Sequence, residues 1–230
     1  MSWNINIENI KMKRLITVII ICSLTITSLH AQLLSGKEKT FTHADTLRGT
    51  NGVNRTWWDV LRYDITVQPD YNNQSLTGKN VITYKVVDDK NSGEMQIDLQ
   101  YPMTIDSVVQ HSSSINFKKI DSNVYLITPK TNAEDRITIY YHGNPRIAKH
   151  APWDGGWIFT KDSLGRPWMT VACQGLGASV WYPCKDYQGD EPDNGAKITT
   201  IVPDTLIAVA NGHLQSVNHL PGHLASYTWA

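Results

Sequence analysis

Apolar and polar residues alternate from Trp57 to Val67 and put Tyr63, Ile65 and Val67 on one face, the period-two pattern of a half-buried strand. Pro69-Asp70-Tyr71-Asn72-Asn73 is turn chemistry. A second long run, Leu76 to Val87, follows it, with Val81 and Ile82 interrupting strict alternation around Tyr84 and Val86. The two runs predict a β-hairpin. Shorter β-type runs at Met95–Leu99, Ile105–Val109, Val124–Ile127 and Arg136–Tyr141 are separated by Asn, Ser, Asp, Gly or Pro. Further strands are predicted at Lys197–Val202, Leu206–Ala210 and Leu224–Trp229, with Leu220-Pro221-Gly222 as turn chemistry between the last two. No long window holds a 3.6-residue apolar period. The pattern therefore predicts an all-β domain, an antiparallel β-sandwich or saddle with little helix.

The beginning of the chain follows a different rule. Lys11, Lys13 and Arg14 precede an apolar run from Leu15 to Leu29, and Ala31 is a small residue suited to cleavage before Gln32. This order predicts a signal peptide over residues 1–31 and export to the periplasm or the extracellular space. The run is shorter than the roughly 20 residues a spanning helix requires, so no membrane span is expected after cleavage, and an uncleaved anchor is the alternative. Signal peptides usually carry their basic residues directly after the initiator, which makes Met12 an alternative start to Met1. Ile21 before Cys22 disfavours a lipid anchor, which wants a small residue there. Residues 32–56 then form a polar lead-in, and 57–230 one β domain without internal repeats. The last strand reaches Ala230 with no stop signal, so the chain reads as cut short.

Composition narrows the partners. With 230 residues and 41% hydrophobic content a substantial core is within reach. Lys+Arg and Asp+Glu are both 21, which gives no electrostatic reason to expect nucleic acid or an anionic membrane surface. Cys173 and Cys184 remain after signal removal, and either a disulfide across the intervening loop or two buried thiols would suit an exported chain.

The most specific stretch runs from Cys173 to Gly212: CQGLGASVWYPCKDYQGDEPDNGAKITTIVPDTLIAVANG. Gln174, then Pro183-Cys184-Lys185-Asp186, then Lys197 leading into a strand, Pro203, and Ala-Asn-Gly at 210–212 resemble, in order and spacing, a signature of the zinc aminopeptidase N family. The resemblance implies the amino-terminal β domain of a zinc-dependent peptidase acting on peptide amino termini. It implies that Gln174 contacts the substrate's terminal residue and free amine, with Gly175 and Gly177 leaving room for the ligand's backbone. An amide suits that task, because its oxygen accepts from an ammonium and its nitrogen donates to a carbonyl without burying a second charge. The bland alternative for Gln174 is a polar residue capping a strand end. The family often has an arginine just upstream of the Pro-Cys-Lys-Asp turn, where this chain has Ala178-Ser179-Val180.

The family's catalytic parts are missing from the sequence. None of the histidines, at 30, 43, 111, 142, 150, 213, 219 and 223, is followed by glutamate, so no H-E-x-x-H helix is present to hold zinc. Glu94-Met95 lacks the glycine and asparagine of the family's amine-gripping G-x-M-E-N loop. No catalytic or metal residue is therefore assigned in this chain, and zinc is expected only for the full-length enzyme. Pro183-Cys184-Lys185-Asp186 reads as a rigid turn whose aspartate accepts backbone N–H groups. Asp186, Asp190, Glu191 and Asp193 offer either a calcium cluster or, with Gly189 and Pro192 interleaved, a solvated turn. His213, His219 and His223 could meet at a transition metal or simply be exposed. Gly175-Leu176-Gly177 lacks the third glycine of a dinucleotide loop, and Ser179 lacks the glycine of a nucleophile elbow. Trp153, Trp157, Trp168 and Trp181 supply the rival reading, a secreted sandwich that binds glycan or a protein partner through exposed aromatics.

Overall fold

The alternation beginning at Trp58 is realised as β1 (Trp58–Asp70), in which Tyr63, Ile65 and Val67 are buried while Arg62, Asp64 and Thr66 are not. In the computed structural model, which describes residues 40–90, 93–130, 132–151 and 153–230, β1 pairs antiparallel with β2 (Ser75–Val86). The Asp70 carboxylate closes their turn by accepting the N–H groups of Asn72 at 2.8 Å and Asn73 at 3.1 Å. Residues 1–31, predicted as a signal peptide, lie outside the described residues, as does the lead-in before Thr40. Among the described residues no helix is long and apolar enough to cross a membrane.

The remaining strands are β3 (Met95–Asp98), β4 (Thr104–Gln110), β5 (Ser113–Ile115), β6 (Phe117–Lys119), β7 (Val124–Ile127), β8 (Glu134–Gly143), β9 (Gly156–Lys161), β10 (Pro167–Ala172), β11 (Ala196–Pro203), β12 (Leu214–Leu220) and β13 (Leu224–Trp229). They build an eight-stranded sheet in the order β12-β13-β11-β1-β2-β8-β4-β5, a three-stranded sheet β3-β7-β6, and the hairpin β9-β10. Every residue of β3 and β7 is buried. Met95, Ile97 and Ile127 of the small sheet share one core cluster with Ile65, Ile82, Ile137 and Ile139 of the large one, which is the sandwich the pattern predicts. Trp58 and Tyr84 meet edge to face at 6.1 Å, and the Trp58 indole donates to the Asn54 carbonyl at 3.0 Å. The residues from His43 to Ala230 form one compact unit.

The structure departs from the sequence expectations at four places. The lead-in contains two short helices, α1 (His43–Gly49) and α2 (Val53–Thr56). β11 joins β1 in parallel, with Asp64 beside Lys197, inside a sheet otherwise antiparallel. The hairpin β9-β10 and the short β5 and β6 carry no pattern that announced them. Leu206–Ala210, predicted as a strand, joins no ladder, and β12 supplies the strand beside β13 instead. β12 is exposed along most of its length, so hydrophobic patterning gave no sign of it; its backbone pairing with β13 across Pro221–His223 creates it.

Candidate substrate-contact turn

Between β10 and a single 3-10 turn (Ala178–Val180) the chain reverses through Cys173–Gly177, with Leu176 and Gly177 both donating to the Cys173 carbonyl at 3.0 Å. Gly175 and Gly177 have φ of 70° and 80°, left-handed conformations that a side chain disfavours. They differ in surroundings. A Cβ on Gly175 would meet nothing within 4 Å, whereas one on Gly177 would lie 2.2 Å from an Asp186 carboxylate oxygen. Gly175 thus leaves space open for a ligand, and Gly177 admits the protein's own carboxylate.

That carboxylate belongs to the Pro183-Cys184-Lys185-Asp186 turn, which the interior holds from several sides. Asn80 donates to the Pro183 carbonyl at 2.9 Å, and Cys184 exchanges backbone bonds with Asp98. The Asp186 N–H donates to Asp98 Oδ2 at 3.0 Å, and the Ser179 hydroxyl donates to Asp186 Oδ2 at 2.5 Å. Arg48 from α1 also reaches Asp186, at 3.4 Å. Gln100 donates to the Leu176 carbonyl at 2.6 Å and to Ser179 Oγ at 2.9 Å. The turn is therefore structural, as expected, but its aspartate accepts a hydroxyl and a guanidinium rather than backbone N–H groups. Ser179 is buried and holds this carboxylate in place.

Beneath the turn lies Arg55, fully buried, which donates to Asp98 Oδ2 at 2.5 Å and to the carbonyls of Arg48 at 2.7 Å and Thr50 at 2.8 Å. Burial pushes the Asp98 carboxyl above the ordinary carboxylate range, and the Arg55 charge opposes that shift. Lys185 donates to the Trp58 carbonyl at 2.6 Å, sits 4.5 Å from that indole's centroid, and is ion-paired with Asp190. Burial draws Lys185 down and Asp190 up from their usual values. The expectation that 186–193 forms a solvated turn fails for Asp186 and Asp190, whose half-buried carboxylates are ion-paired with Arg48 and Lys185; Arg48 lies far along the chain, whereas Lys185 stands in the motif itself.

On this framework Gln174 is exposed, and no hydrogen bond engages its side chain among the described residues. Its carbonyl lies against Gly155, where a Cβ would come within 2.9 Å, so the backbone beneath the amide is closely packed while the amide faces outward. Gln174, Gly175 and Gly177 thus occupy one short turn. The residues that fix it, Gln100, Ser179, Asp98 and Arg55, were not read from the sequence, because each acts through a partner far along the chain.

Beside the turn opens an apolar groove of about 620 Å³ lined by β10, by the Ile198, Thr200 and Val202 face of β11 and by the 206–211 segment, with Cys173, Ala178 and Trp181 also on its wall. Trp157 and Trp181 are buried in the core, which leaves Trp153 and Trp168 as the exposed aromatics the glycan reading requires. Among the described residues no three His, Cys, Asp or Glu side chains gather to hold a metal, so neither the aspartates nor the three histidines build an ion site, and the residues present do not fit zinc. Cys173 and Cys184 are both free thiols, each raised in pKa chiefly by burial, Cys184 strongly so. We expect Cys184 to resist alkylation in the native protein near pH 8 and to react only on unfolding, as peptide mapping would show; ready native labelling would contradict its burial.

No family model and no curated protein sequence matches the chain. Solved structures do. The M1 zinc metallopeptidase from Deinococcus radiodurans superposes with a TM-score of 0.61 at 15% identity, over 79% of this chain and 41% of that one. A mutant of it bound to a Tyr-Ser-Ala substrate gives 0.61 at 16% identity, and yeast LTA4 hydrolase in complex with bestatin gives 0.58 at 14% identity over 87% of this chain and 30% of that one. The chain thus spans less than half the length of these proteins. In fold, the chain is similar to a β-rich part of these M1 zinc metallopeptidases that makes up about 41% of the Deinococcus radiodurans protein.

Proposed function

We propose that this chain is the exported, substrate-cleft-lining amino-terminal domain of a zinc-dependent aminopeptidase that removes residues from the amino termini of peptides. The observation that carries this reading is the placement of Gln174: its amide is outward-facing and unengaged, on a turn fixed by Gln100, Ser179 and Asp186, in a fold shared with solved M1 zinc metallopeptidases. Gln174 Oε1 accepts a hydrogen bond from the substrate's terminal ammonium, and open space over Gly175 admits the peptide backbone. The residues present do not fit zinc, so the metal belongs to a part of the enzyme other than the described residues, and the chain on its own is inactive.

The test is Gln174→Ala in the longer enzyme that this reading supposes. A hydrogen bond to a charged group contributes about 1.5–3 kcal/mol, so kcat/KM should fall roughly ten- to a hundredfold while the β domain stays folded. Residual turnover of substrates with acetylated amino termini should be indifferent to the change, since they offer no ammonium. A sharp drop in melting temperature with unchanged activity of the folded fraction would make Gln174 a structural cap.

A further inference from the structure

The polar lead-in reaches the Gln174 turn through its first helix. In α1, Leu47 and Arg48 are half-buried and the other described positions are exposed, so the helix contributes little to the apolar core. Seven residues are too few for a helix to persist unaided in water, and α1 stays folded by docking. Its docking contacts are polar. Gln96 donates to the Leu47 carbonyl at 3.1 Å, Arg55 donates to the Arg48 carbonyl at 2.7 Å, and the Arg48 guanidinium lies 3.4 Å from Asp186 Oδ2. A segment held in this way belongs to the part of a fold that opens locally, ahead of the core strands.

Asp186 is the carboxylate that closes the turn. Its two oxygens stand 2.2 and 2.3 Å from the point that a Cβ on Gly177 would occupy, so they press against the Gly177 backbone, and Oδ2 also accepts the Ser179 hydroxyl at 2.5 Å. From Cys173 to Pro183 the chain carries no charged residue. Lys185, next to Asp186, is committed to Asp190 and to the Trp58 carbonyl, and Arg55 to Asp98. Among the described residues the cation paired with Asp186 is therefore Arg48, from far earlier in the chain. A half-buried carboxylate that loses its counter-charge is drawn back toward water, and that motion lifts it off Gly177.

We propose that Arg48 is a positioning residue for Gln174: α1 is a strap that, through the Arg48–Asp186 ion pair, holds the Cys173–Gly177 turn in the conformation that presents the amide. Undocking of α1 withdraws the guanidinium, frees the Asp186 carboxylate and loosens the turn. Arg48 acts through Asp186 and not by contact with a substrate. The consequence for a substrate rests on the amine-contact reading of Gln174, whereas the coupling of strap to turn does not.

The test is amide hydrogen exchange of the full chain, read at Leu176 and Gly177, whose N–H groups both bond to the Cys173 carbonyl. Arg48→Ala keeps the backbone carbonyl that Arg55 needs, so the variant folds. It should speed exchange at the two turn amides about two- to fivefold, the range of a partly exposed ion pair. The Asn194 N–H, bonded to the Leu61 carbonyl, should keep its rate, which separates a loosened turn from a destabilised domain. Salt at about 1 M, which screens exposed charges beyond roughly 3 Å, should speed the turn in the parent and leave Arg48→Ala as it was. In an Asp186→Asn background the Arg48 substitution should add nothing. An unchanged turn in Arg48→Ala, a rise shared equally by Asn194, or an Arg48 effect that survives Asp186→Asn overturns the proposal. In the longer enzyme Arg48→Ala should lower kcat/KM for peptides with a free amine, and do nothing further once Gln174→Ala is in place. Unimpaired kcat/KM in Gln174→Ala would sink the amine-contact reading and leave the strap standing; a loss in Gln174→Ala with none in Arg48→Ala would sink the positioning role.

Discussion

Replacing Arg55 by alanine is expected to destabilise the domain by about 3–5 kcal/mol, the range for removing one partner of a buried ion pair. Arg55 is wholly inaccessible, and its guanidinium satisfies Asp98 Oδ2 together with the carbonyls of Arg48 and Thr50. Without it the Asp98 carboxylate keeps only the Gln96 amide and the Asp186 N–H. The loss should depend on pH, with a sign that can be worked out. Burial already raises Asp98, and removing the opposing cation raises it further, so the folded variant takes up a proton more readily than its unfolded chain. Stability of Arg55→Ala relative to the parent should therefore recover as pH falls, and the gap should widen as pH rises through the folded pKa. Urea unfolding at acidic and neutral pH measures this. Adding Asp98→Asn should return part of the loss near neutral pH by removing the unpaired charge, and a double variant no better than the single one would argue against the ion pair as the cause.

Gly177→Ala should cost about 3 kcal/mol or more, against roughly 1 kcal/mol for Gly175→Ala. Both glycines are left-handed, so both substitutions carry backbone strain. Only at Gly177 would the new methyl fall 2.2 Å from Asp186, forcing that carboxylate away from Ser179 and Arg48. A difference between two substitutions of the same chemistry isolates the clash from the strain, and equal melting temperatures for the two variants would show that the carboxylate moves aside freely. In a peptidase Gly177→Ala should also lower kcat/KM, because the turn that presents Gln174 shifts with it.

How far the sequence reached depended on where each residue's partner lay. β1, β2, β7 and β13 were legible, because alternation in Tyr63, Ile65 and Val67, or a continuous apolar run such as Val124–Ile127, answers to burial, which a residue's own hydrophobicity predicts. Gln174 was legible through the motif around it and proved exposed on a braced turn. The bracing was not legible. Asp186 looked like part of a solvated acidic turn, and nothing near it in the chain names Ser179, Arg48 or the backbone link to Asp98.

The same division explains the β12 edge of the large sheet. Leu206–Ala210 has strand composition, yet the position of β13 leaves it outside any ladder, while the exposed and largely polar β12 becomes a strand because Pro221–His223 folds it back onto β13. Composition and periodicity by themselves determined the all-β class and the strands with a buried face, and the motif resemblance singled out Gln174. The parallel insertion of β11 beside β1, the Arg55–Asp98–Asp186 bracing and the choice of β12 over Leu206–Ala210 were decided only by tertiary structure. Burial is a property each residue carries with it, whereas a hydrogen bond or ion pair exists only once the fold has brought two distant residues together.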